Sequence, residues 1–514
     1  MKAVGSGRSK YGVRLSHVLL SIILSCTLAA CLPVTFAQGG SPNFIDEYHV
    51  PTANSAPLAI TVDLNGGIWF TESNATKLAM FYPSNRTFRE YAIPWPGDMW
   101  GIAADSSGNI WFTQYSGKGN VNPGGAIVQS GYGRIVRFNV ALERFTSIPV
   151  PSPGSFPMRL VLDRQARIWF TEFLGNKIAV YDPVLDHMQE FLIPTNSSGP
   201  SDLKFDKQGN LWFSESYSRQ VGMFNPQNKT ITEYSLGTES ASQIVSSPVG
   251  IALDEAGNVW VADHGGNWIV RFNPVTRTIM KYPTHFPPAH VYPISLVNDL
   301  LIDFNGNIWF VEHAGNSVGY YDPKEEVMIE FPIPTGPIST TLWLALAPNG
   351  DIWFTEWSGN NIGLVHSNHQ VPITISTTIT SLTLHDAEQV TIPLTIKNEQ
   401  KIQGNGTLSY AWGSYNPRDI SAILSPQFPQ LTSSTEISAK AEIRTSDTIT
   451  PGDYTLALGV VTGTARIWTF IPVKILKSNR TNLTLSPNII LLIGVLIALF
   501  SVLILLKKRF HRMK

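Results

Sequence analysis

Two histidines stand at equivalent places in a repeated sequence pattern, each directly after an acidic residue. His264 follows Asp263, and His313 follows Glu312. Imidazole and carboxylate groups together can bind a divalent cation or carry out general acid–base catalysis. The sequence therefore predicts Asp263, His264, Glu312 and His313 as metal ligands, with His264 and His313 as the catalytic candidates. The segment between the two pairs adds His285, His290 and Asp299.

These histidines also have a structural interpretation, because loop histidines on a polar surface are usually solvated or hydrogen-bonded. A ligand-binding mouth is a further kind of site. Trp100 and Trp343 stand at the starts of predicted strands, where an indole ring could bind an apolar ring or the face of a sugar. We therefore predict Trp100, Asp299 and Trp343 as ligand-binding residues.

The element that positions these residues is a short phrase that recurs seven times. It reads Ile-Trp-Phe-Thr-Glu or a close variant, at residues 68–72, 110–114, 168–172, 211–215, 259–263, 308–312 and 352–356. The tryptophans are 42, 58, 43, 48, 49 and 44 residues apart. A period in the forties made of short strands is typical of propeller blades. The sequence therefore predicts a seven-bladed β-propeller over residues 44–367.

The seventh repeat lacks one strand. Its tryptophan strand is followed by a third strand at residues 361–366, and then the pattern stops. Residues 44–51 resemble the fourth strand of the preceding repeat, at residues 328–334. Because an open array would expose unpaired edges, we predict that the N-terminal strand completes the seventh blade and closes the ring.

Most tryptophan strands end in an acid. The acids are Glu72, Glu172, Glu215, Asp263, Glu312 and Glu356, and blade two has Gln114 instead. One interpretation is a ring of metal-binding carboxylates. We favour the other, in which a residue present in nearly every blade supports the blade by accepting backbone hydrogen bonds. The seven tryptophans are interpreted as packing residues.

Insertions gather at one end of the predicted propeller. They lie at residues 116–133, 237–247 and 284–297, whereas the turns at the other end are short and uniform. We call the end with the insertions the irregular face, and the acids that end the tryptophan strands reach it too. Insertions on one face usually mark the binding face.

The chain beyond the repeats has a different pattern. Residues 370–476 contain alternating apolar stretches that predict an immunoglobulin-like β-sandwich, which would act as a stalk domain. A polar stalk at 477–487 and an apolar segment at 488–506 follow, and the latter is long enough for one transmembrane helix. The basic tail, 507–514, predicts a cytoplasmic C-terminus. The predicted fold class is thus all-β with a single C-terminal transmembrane helix.

The N-terminus has the pattern of a secretion signal. Basic residues precede an apolar run, and cleavage after Ala37 would define residues 1–37 as a signal peptide. Lipidation at Cys31 is the alternative. The propeller is then extracellular in a single-pass protein of the cell membrane. Seven glycosylation sequons agree with export, at Asn74, Asn85, Asn196, Asn228, Asn405, Asn479 and Asn482.

The charge of the chain argues against one class of partner. The 514 residues carry a formal net charge of −1, and only 15% are charged. This balance gives no electrostatic reason to expect nucleic acid. The expected partner is a small-molecule, glycan or peptide ligand at the propeller face, or another surface protein.

The repeated phrase resembles the virginiamycin B (streptogramin B) lyase family over roughly residues 44–366, together with segments such as Gly-Asn-Lys-Ile at 175–178. The resemblance implies elimination chemistry on the macrocyclic ester of a peptide antibiotic, Mg²⁺ as the divalent cation, and a histidine base just before the Gly-Ile of an inner strand. Of the metal-binding carboxylates, only the tryptophan-strand acids could correspond. The base positions hold Leu58, Trp100, Met158, Ser201, Val249, Asn298 and Trp343, and none is histidine.

Two functions remain open from the sequence. The first is a cell-surface module that binds a ligand or partner. The alternative is a metal-dependent lyase or hydrolase with its site on the irregular face of blades five and six.

Overall fold

The structure, a computed structural model, describes residues 44–117, 131–237, 247–285, 295–366, 373–398, 404–413, 419–431 and 436–477. In these ranges every regular element is a β-strand, and no helix is long and apolar enough to cross a membrane. The predicted signal peptide, transmembrane segment and basic tail lie outside the described residues, as does all but the first residue of the predicted stalk. All described residues belong to one compact unit.

The described residues form seven antiparallel blades of four strands. The N-terminal strand is β1 (Ile45–His49). Blade one contains β2 (Pro57–Val62), β3 (Ile68–Glu72), β4 (Lys77–Tyr82) and β5 (Thr87–Ala92). Blade two contains β6 (Asp98–Ala104), β7 (Asn109–Gly117), β8 (Gly131–Asn139) and β9 (Arg144–Pro149). Blade three contains β10 (Pro157–Leu162), β11 (Ile168–Glu172), β12 (Lys177–Asp182) and β13 (His187–Leu192).

The remaining blades follow the same order. Blade four contains β14 (Pro200–Phe205), β15 (Leu211–Glu215), β16 (Gln220–Asn225) and β17 (Thr230–Ser235). Blade five contains β18 (Pro248–Leu253), β19 (Val259–Asp263), β20 (Trp268–Phe272) and β21 (Ile279–Pro283). Blade six contains β22 (Val297–Ile302), β23 (Ile308–Glu312), β24 (Ser317–Asp322) and β25 (Val327–Pro332). Blade seven contains β26 (Thr341–Leu346), β27 (Ile352–Glu356) and β28 (Asn361–Val365), with β1 as its fourth strand.

The burial of the strands explains their sequence patterns. The second strand of a blade is buried over its whole length, as in β3, β11 and β15, because neighbouring blades cover both of its faces. A strand buried on two sides is continuously apolar rather than alternating. The fourth strands β5, β13 and β17 instead alternate between exposed and partly buried residues.

An aspartate in the turn between strands one and two holds the tryptophan of six blades. In blade one, Asp63 Oδ2 accepts a hydrogen bond from the indole Nε1 of Trp69, and Asp63 Oδ1 accepts the Gly67 backbone N–H. Across the six blades the indole bond measures 2.8–3.1 Å. A buried indole N–H needs such a partner. The aspartates are Asp63, Asp105, Asp163, Asp206, Asp254 and Asp303.

The two ends of the propeller sequence meet in blade seven. Strand β1 pairs antiparallel with β28, from Ile45 opposite Val365 to His49 opposite Asn361. The Asn360 side chain extends the seam, since its Nδ2 donates to the carbonyl oxygens of Val50 and Thr52, both at 3.1 Å. The N-terminal strand is thus the fourth strand of blade seven, as predicted from the sequence.

The second domain contains the last ten strands of the described chain. They are β29 (Ile373–Ser376), β30 (Leu382–His385), β31 (Gln389–Asn398), β32 (Gly404–Asn405), β33 (Thr407–Trp412), β34 (Ile420–Ser425), β35 (Gln430–Leu431), β36 (Glu436–Thr445), β37 (Gly452–Val461) and β38 (Arg466–Leu476). One sheet has the order β29-β31-β36-β34, and a second joins β33, β37, β38 and β30. Ile392 and Ile443 of the first sheet share a buried cluster with Leu458 and Ile471 of the second.

The second domain is joined to the side of the propeller. Strand β38 pairs with β25, so the sheet of blade six continues into the second domain. Trp468 and Phe470 of β38 pack in one cluster with Tyr282 and Tyr321 of blades five and six. Nothing in the repeat pattern predicted this contact.

Removal of residues 44–51 tests the closure. The deletion exposes the edge of β28, leaves Asn360 without two of its acceptors and takes away buried Ile45. Burial of one such aliphatic side chain contributes about 1.5–3 kcal/mol. We therefore expect a lower melting temperature and loss of solubility for residues 38–477 with the deletion. The control is deletion of residues 38–43, which leaves β1 in place, and equal melting curves for both deletions would contradict the closure.

Candidate functional site

Five blades each bring two glutamates together, of which the first is buried. The first member ends strand two, and the second lies on strand four of the same blade. The pairs are Glu72–Glu90, Glu172–Glu190, Glu215–Glu233, Glu312–Glu330 and Glu356–Glu47. Gln114 in blade two and Asp263 in blade five take the place of the first member.

In blades one and three the pKa values of the two carboxyl groups of a pair shift in opposite directions. Burial, reinforced by the neighbouring carboxylate, raises the pKa of Glu72 to about 7 and the pKa of Glu172 to about 8. Burial also acts to raise the pKa of Glu190, but hydrogen bonds from Lys177 and Ser152 outweigh it and lower the pKa. Two close carboxyl groups cannot both ionise cheaply, so the first member keeps its proton near neutral pH.

The second member of each pair ties its blade to the one before. Its carboxylate accepts the backbone N–H of the residue that leaves the preceding blade, at 2.7–3.2 Å. The bonds run from Thr52 to Glu90, Ser152 to Glu190, Thr195 to Glu233, His285 to Glu330 and Thr335 to Glu47. In these five blades the backbone acceptor is therefore the second glutamate, and not the acid ending the tryptophan strand to which the prediction gave this role.

His264 and His313 are brought together on the irregular face. Their rings are nearly stacked, with centroids 5.7 Å apart, and both side chains are half-buried. Burial first, and the neighbouring His313 second, lower the pKa of His264 to about 4, while a hydrogen bond with the Val297 backbone acts to raise it. Burial lowers the pKa of His313 to about 4 as well. Both rings are therefore neutral and weakly basic at neutral pH.

The two acids beside these histidines have different surroundings. Asp263 accepts the backbone N–H groups of Ser247 and Gly265 on one oxygen and the Trp268 indole N–H on the other. Glu312 is fully buried, and burial together with Glu330 raises its pKa well above the usual range. The four predicted metal ligands thus do not converge on one point. No group of three or more His, Cys, Asp or Glu side chains in the described residues could hold a metal ion.

The other two linker histidines do not join the pair. His285 lies at the start of the linker, with its ring centroid 6.0 Å from that of Trp468 in the second domain. Burial and the nearby Arg466 lower the pKa of His285 to about 3. His290 lies outside the described residues.

An ion-pair network that the sequence analysis missed crosses the centre of the propeller. Arg159 lies on β10. Its Nη2 is 2.7 Å from Oδ1 of Asp299 on β22, and its Nε is 3.1 Å from Oδ1 of Asp202 on β14. Lys204 lies 2.9 Å from Asp202. The guanidinium carbon of Arg159 also lies 3.6 Å from the centroid of the Trp343 ring. Arg159 therefore links the inner strands of four blades.

This network changes the role of two predicted ligand-binding residues. Trp343 is 1% exposed and Asp299 is 2% exposed. In this structure both belong to the packed centre and do not line an open mouth. A sequence signal for the network does exist, because Arg159 and Asp202 stand where blades one and five have Ala59 and Gly250.

A row of aromatic rings does line the irregular face, on blades two to four. We call Trp100, Phe156, Phe173 and Tyr217 the aromatic row. Successive centroids along it are 5.7, 6.0 and 5.1 Å apart. Within the row, Phe156 is buried, Trp100 and Phe173 are half-buried, and Tyr217 is 54% exposed. Only Trp100 was predicted, although the aromatic residue directly after Glu172 was visible in the sequence.

Gly199 makes room for the last ring of the row. Its φ of 66° lies in the left-handed region, and a Cβ added there would stand 2.8 Å from the Tyr217 ring. Any other residue would therefore be strained and would displace the ring.

The propeller is similar in sequence to a known protein family. The model of the virginiamycin B lyase family matches residues 127–336, from blade two into blade six. The propeller is virginiamycin B lyase-like. No curated protein sequence matches the chain.

Solved structures share the fold of this lyase-like propeller. A streptogramin B lyase is 23% identical with a TM-score of 0.53, and the match covers 64% of this chain and 100% of that one. A selenomethionine-substituted virginiamycin B lyase from Staphylococcus aureus is 22% identical with a TM-score of 0.52, covering 63% and 99%. A catalytically inactive variant of the S. aureus lyase, solved with quinupristin, is 21% identical with a TM-score of 0.52, covering 62% and 98%.

Strand pairing corrects one of the base positions assigned from the resemblance. Leu344 pairs with Phe354 as Ile60 pairs with Phe70, so the residue of blade seven equivalent to Leu58 is Leu342. Trp343 was therefore assigned one residue too late. The position holds Leu58, Trp100, Met158, Ser201, Val249, Asn298 and Leu342 in the seven blades.

The Mg²⁺ ion that the lyase-like family implies does not fit the described residues. Mg²⁺ prefers ionised oxygen ligands in near-ideal octahedral geometry. Here five of the six tryptophan-strand acids lie beside a second carboxyl group of their own blade, and the sixth, Asp263, accepts hydrogen bonds on both oxygens. Burial holds the pKa of Glu172 and of Glu356 at about 8.

The glutamate pairs predict a pH dependence of stability. The pKa of Glu172 is raised to about 8 in the folded protein. Its contribution to stability is therefore complete below its ordinary pKa and is lost as the pH rises through about 8. We expect Glu172→Gln, which cannot ionise, to lose less stability between pH 6 and pH 9. The gain at pH 9 should be roughly 1–3 kcal/mol in the free energy of unfolding.

Gln114 occupies the same place in blade two, so the blade tolerates this amide. The control is Glu255→Gln, at a side chain that is 90% exposed. Denaturant unfolding at a series of pH values measures the difference, and parallel profiles for parent and Glu172→Gln would contradict the proposed proton.

Proposed function

We propose that the propeller is a ligand-binding module and that the aromatic row is its binding surface. The observation that carries this proposal is a row of four neighbouring aromatic rings, three of them partly exposed, at the end of the propeller that has the insertions. Tyr217 is 54% exposed and packs edge-to-face against Phe173, with the two ring centroids 5.1 Å apart. Large aromatic side chains held rigidly at a surface are typical of binding sites, since they contribute contact area at low entropic cost.

The row also offers a hydrogen-bond donor. The indole Nε1 of Trp100 is buried and has no acceptor among the described residues. A buried donor without a partner is costly, so a ligand oxygen that reaches it gains affinity. The ligand we propose therefore combines an aromatic ring or an apolar sugar face with a carbonyl or hydroxyl acceptor. One related propeller was solved with quinupristin, which makes that compound a suitable first probe.

The alternative function, a metal-dependent lyase or hydrolase on blades five and six, receives less support. A general base works best when its pKa lies near the working pH. Burial instead holds the pKa values of His264 and His313 at about 4. Both carboxylate oxygens of Asp263 already accept hydrogen bonds within blade five.

We further propose that this module stands at the cell surface. The second domain would be an immunoglobulin-like stalk, residues 488–506 the membrane anchor, and residues 1–37 the signal for export. The surface of the described residues agrees with this proposal, because the five sequon asparagines within them, Asn74, Asn85, Asn196, Asn228 and Asn405, are all exposed.

Ligand binding is tested by removing the exposed ring of the row. Tyr217→Ala should weaken binding of quinupristin about fivefold, since one aromatic contact contributes about 1 kcal/mol. The matched control is Phe304→Ala, a ring that is 71% exposed in a turn at the opposite end of the propeller. Calorimetric titration gives the affinities, and mass spectrometry of the recovered compound should show it intact. Equal affinities for the two variants would refute the site, and a linearised product would favour the enzymatic alternative.

Membrane topology is tested in intact cells. Added protease should digest a propeller epitope and spare a tag placed after Lys514, because cationic residues beside a span remain in the cytoplasm. Permeabilised cells, in which both tags should be digested, are the control. Loss of the C-terminal tag from intact cells would contradict the proposed orientation.

A further inference from the structure

Two blades place a lysine beside the second glutamate of their pair. In blade one, Lys77 Nζ lies 2.7 Å from Glu90 and 2.6 Å from the Thr52 hydroxyl. In blade three, Lys177 Nζ lies 2.6 Å from Glu190 and also contacts the hydroxyl of Ser152. The lysine is the first residue of strand three in both blades. It neutralises the carboxylate that ties the blade to its predecessor.

Blade six lacks this lysine. Ser317 pairs with Glu312 as Lys77 pairs with Glu72, so Ser317 holds the equivalent place. The serine side chain carries no charge. Yet Glu330 of this blade is 0% exposed, whereas Glu90 is 18% exposed. Blade six thus has the more deeply buried carboxyl group and no lysine of its own.

An arginine of the second domain occupies the vacant place. Arg466, the first residue of β38, stands directly opposite Glu330 in the pairing of β38 with β25. Its Nη1 donates to the Ser317 hydroxyl at 2.7 Å and lies 3.6 Å from Glu330 Oε2. We propose that the second domain completes blade six by supplying Arg466 as the cation that Lys77 and Lys177 supply within their own blades.

The need for this cation follows from the docking itself. Strand β38 covers the outer edge of blade six and removes Glu330 from water. A buried carboxyl group beside a second one is strongly destabilising unless a proton or a cation compensates it. Blades four and seven use the neutral Gln220 and Asn361 at the lysine position, and there no strand of the second domain covers the outer edge in the described part of the chain.

The contact also reaches the irregular face. Glu330 Oε1 accepts the backbone N–H of His285 at 2.7 Å, and the His285 ring lies against Trp468 of the same strand β38. His285 begins the linker between blades five and six. Arg466 is therefore a positioning residue, which acts through Glu330 on the start of a loop at the proposed binding end.

A transplanted lysine tests the proposal. Arg466→Ala should lower the melting temperature of the full chain by roughly 5–10 °C, because it leaves a buried carboxyl group uncompensated. Adding Ser317→Lys to Arg466→Ala should restore at least half of that loss. The control is Lys474→Ala, an exposed position on the same strand, which should change little. A loss that Ser317→Lys does not restore, or no loss at all in Arg466→Ala, would overturn the proposal.

A double-mutant cycle tests the partner and guards against a variant that fails to fold. Glu330→Gln removes the charge and keeps an acceptor for the His285 N–H. In that background, Arg466→Ala should cost less than half of what it costs in the parent. Hydrogen exchange at the His285 amide should rise in Arg466→Ala and return in Arg466→Ala with Ser317→Lys. If Arg466→Ala is equally damaging, or equally unable to fold, with and without Glu330→Gln, the arginine does not act through Glu330.

Discussion

The pairing of β1 with β28 is the contact on which the ring depends, because it joins segments from the two ends of the propeller sequence. Blades are apolar on both sides, so each needs a neighbour on each side. Tyr48 of β1 lies 5.7 Å from the Trp353 ring of blade seven and 4.6 Å from the Phe81 ring of blade one. One strand therefore completes a blade and also fills the seam between the last blade and the first.

Once the ring is closed, the blades bury polar groups that must be satisfied. The turn aspartates bind the tryptophan indoles, and the second glutamate of each pair binds the backbone of the preceding blade. These residues recur because every blade has the same need. They are consequently poor guides to function, which a shared fold does not specify. The residues that differ between blades, such as Phe173 and Tyr217, are where a binding surface can arise.

The second domain and the propeller centre show how the repeats are individually adjusted. Arg159 crosses the centre to Asp299 and packs on Trp343, so three inner strands that lack small residues at this place still fit together. At the outside, β38 covers the edge of blade six and brings Arg466 with it. Both adjustments combine burial of a carboxyl group with a matched cation. In blades one and three a lysine of the same blade neutralises the partly buried carboxylates of Glu90 and Glu190.

The sequence by itself determined the number of blades and the all-β class, because a tryptophan strand every forty or so residues is a local pattern of side chains. It also indicated which strand closes the ring, since β1 repeats the pattern of β25. The inner strand of blade seven was misassigned by one residue, although blades one, three, four and five contain the same bulge and the spacing from each tryptophan strand gives Leu342 and not Trp343. Tertiary structure alone decided the rest. Arg159 meets Asp299, and Arg466 meets Glu330, only after folding brings distant strands together. The partners in these pairs lie far apart in the sequence and at no regular spacing, so the repeat pattern could not reveal them.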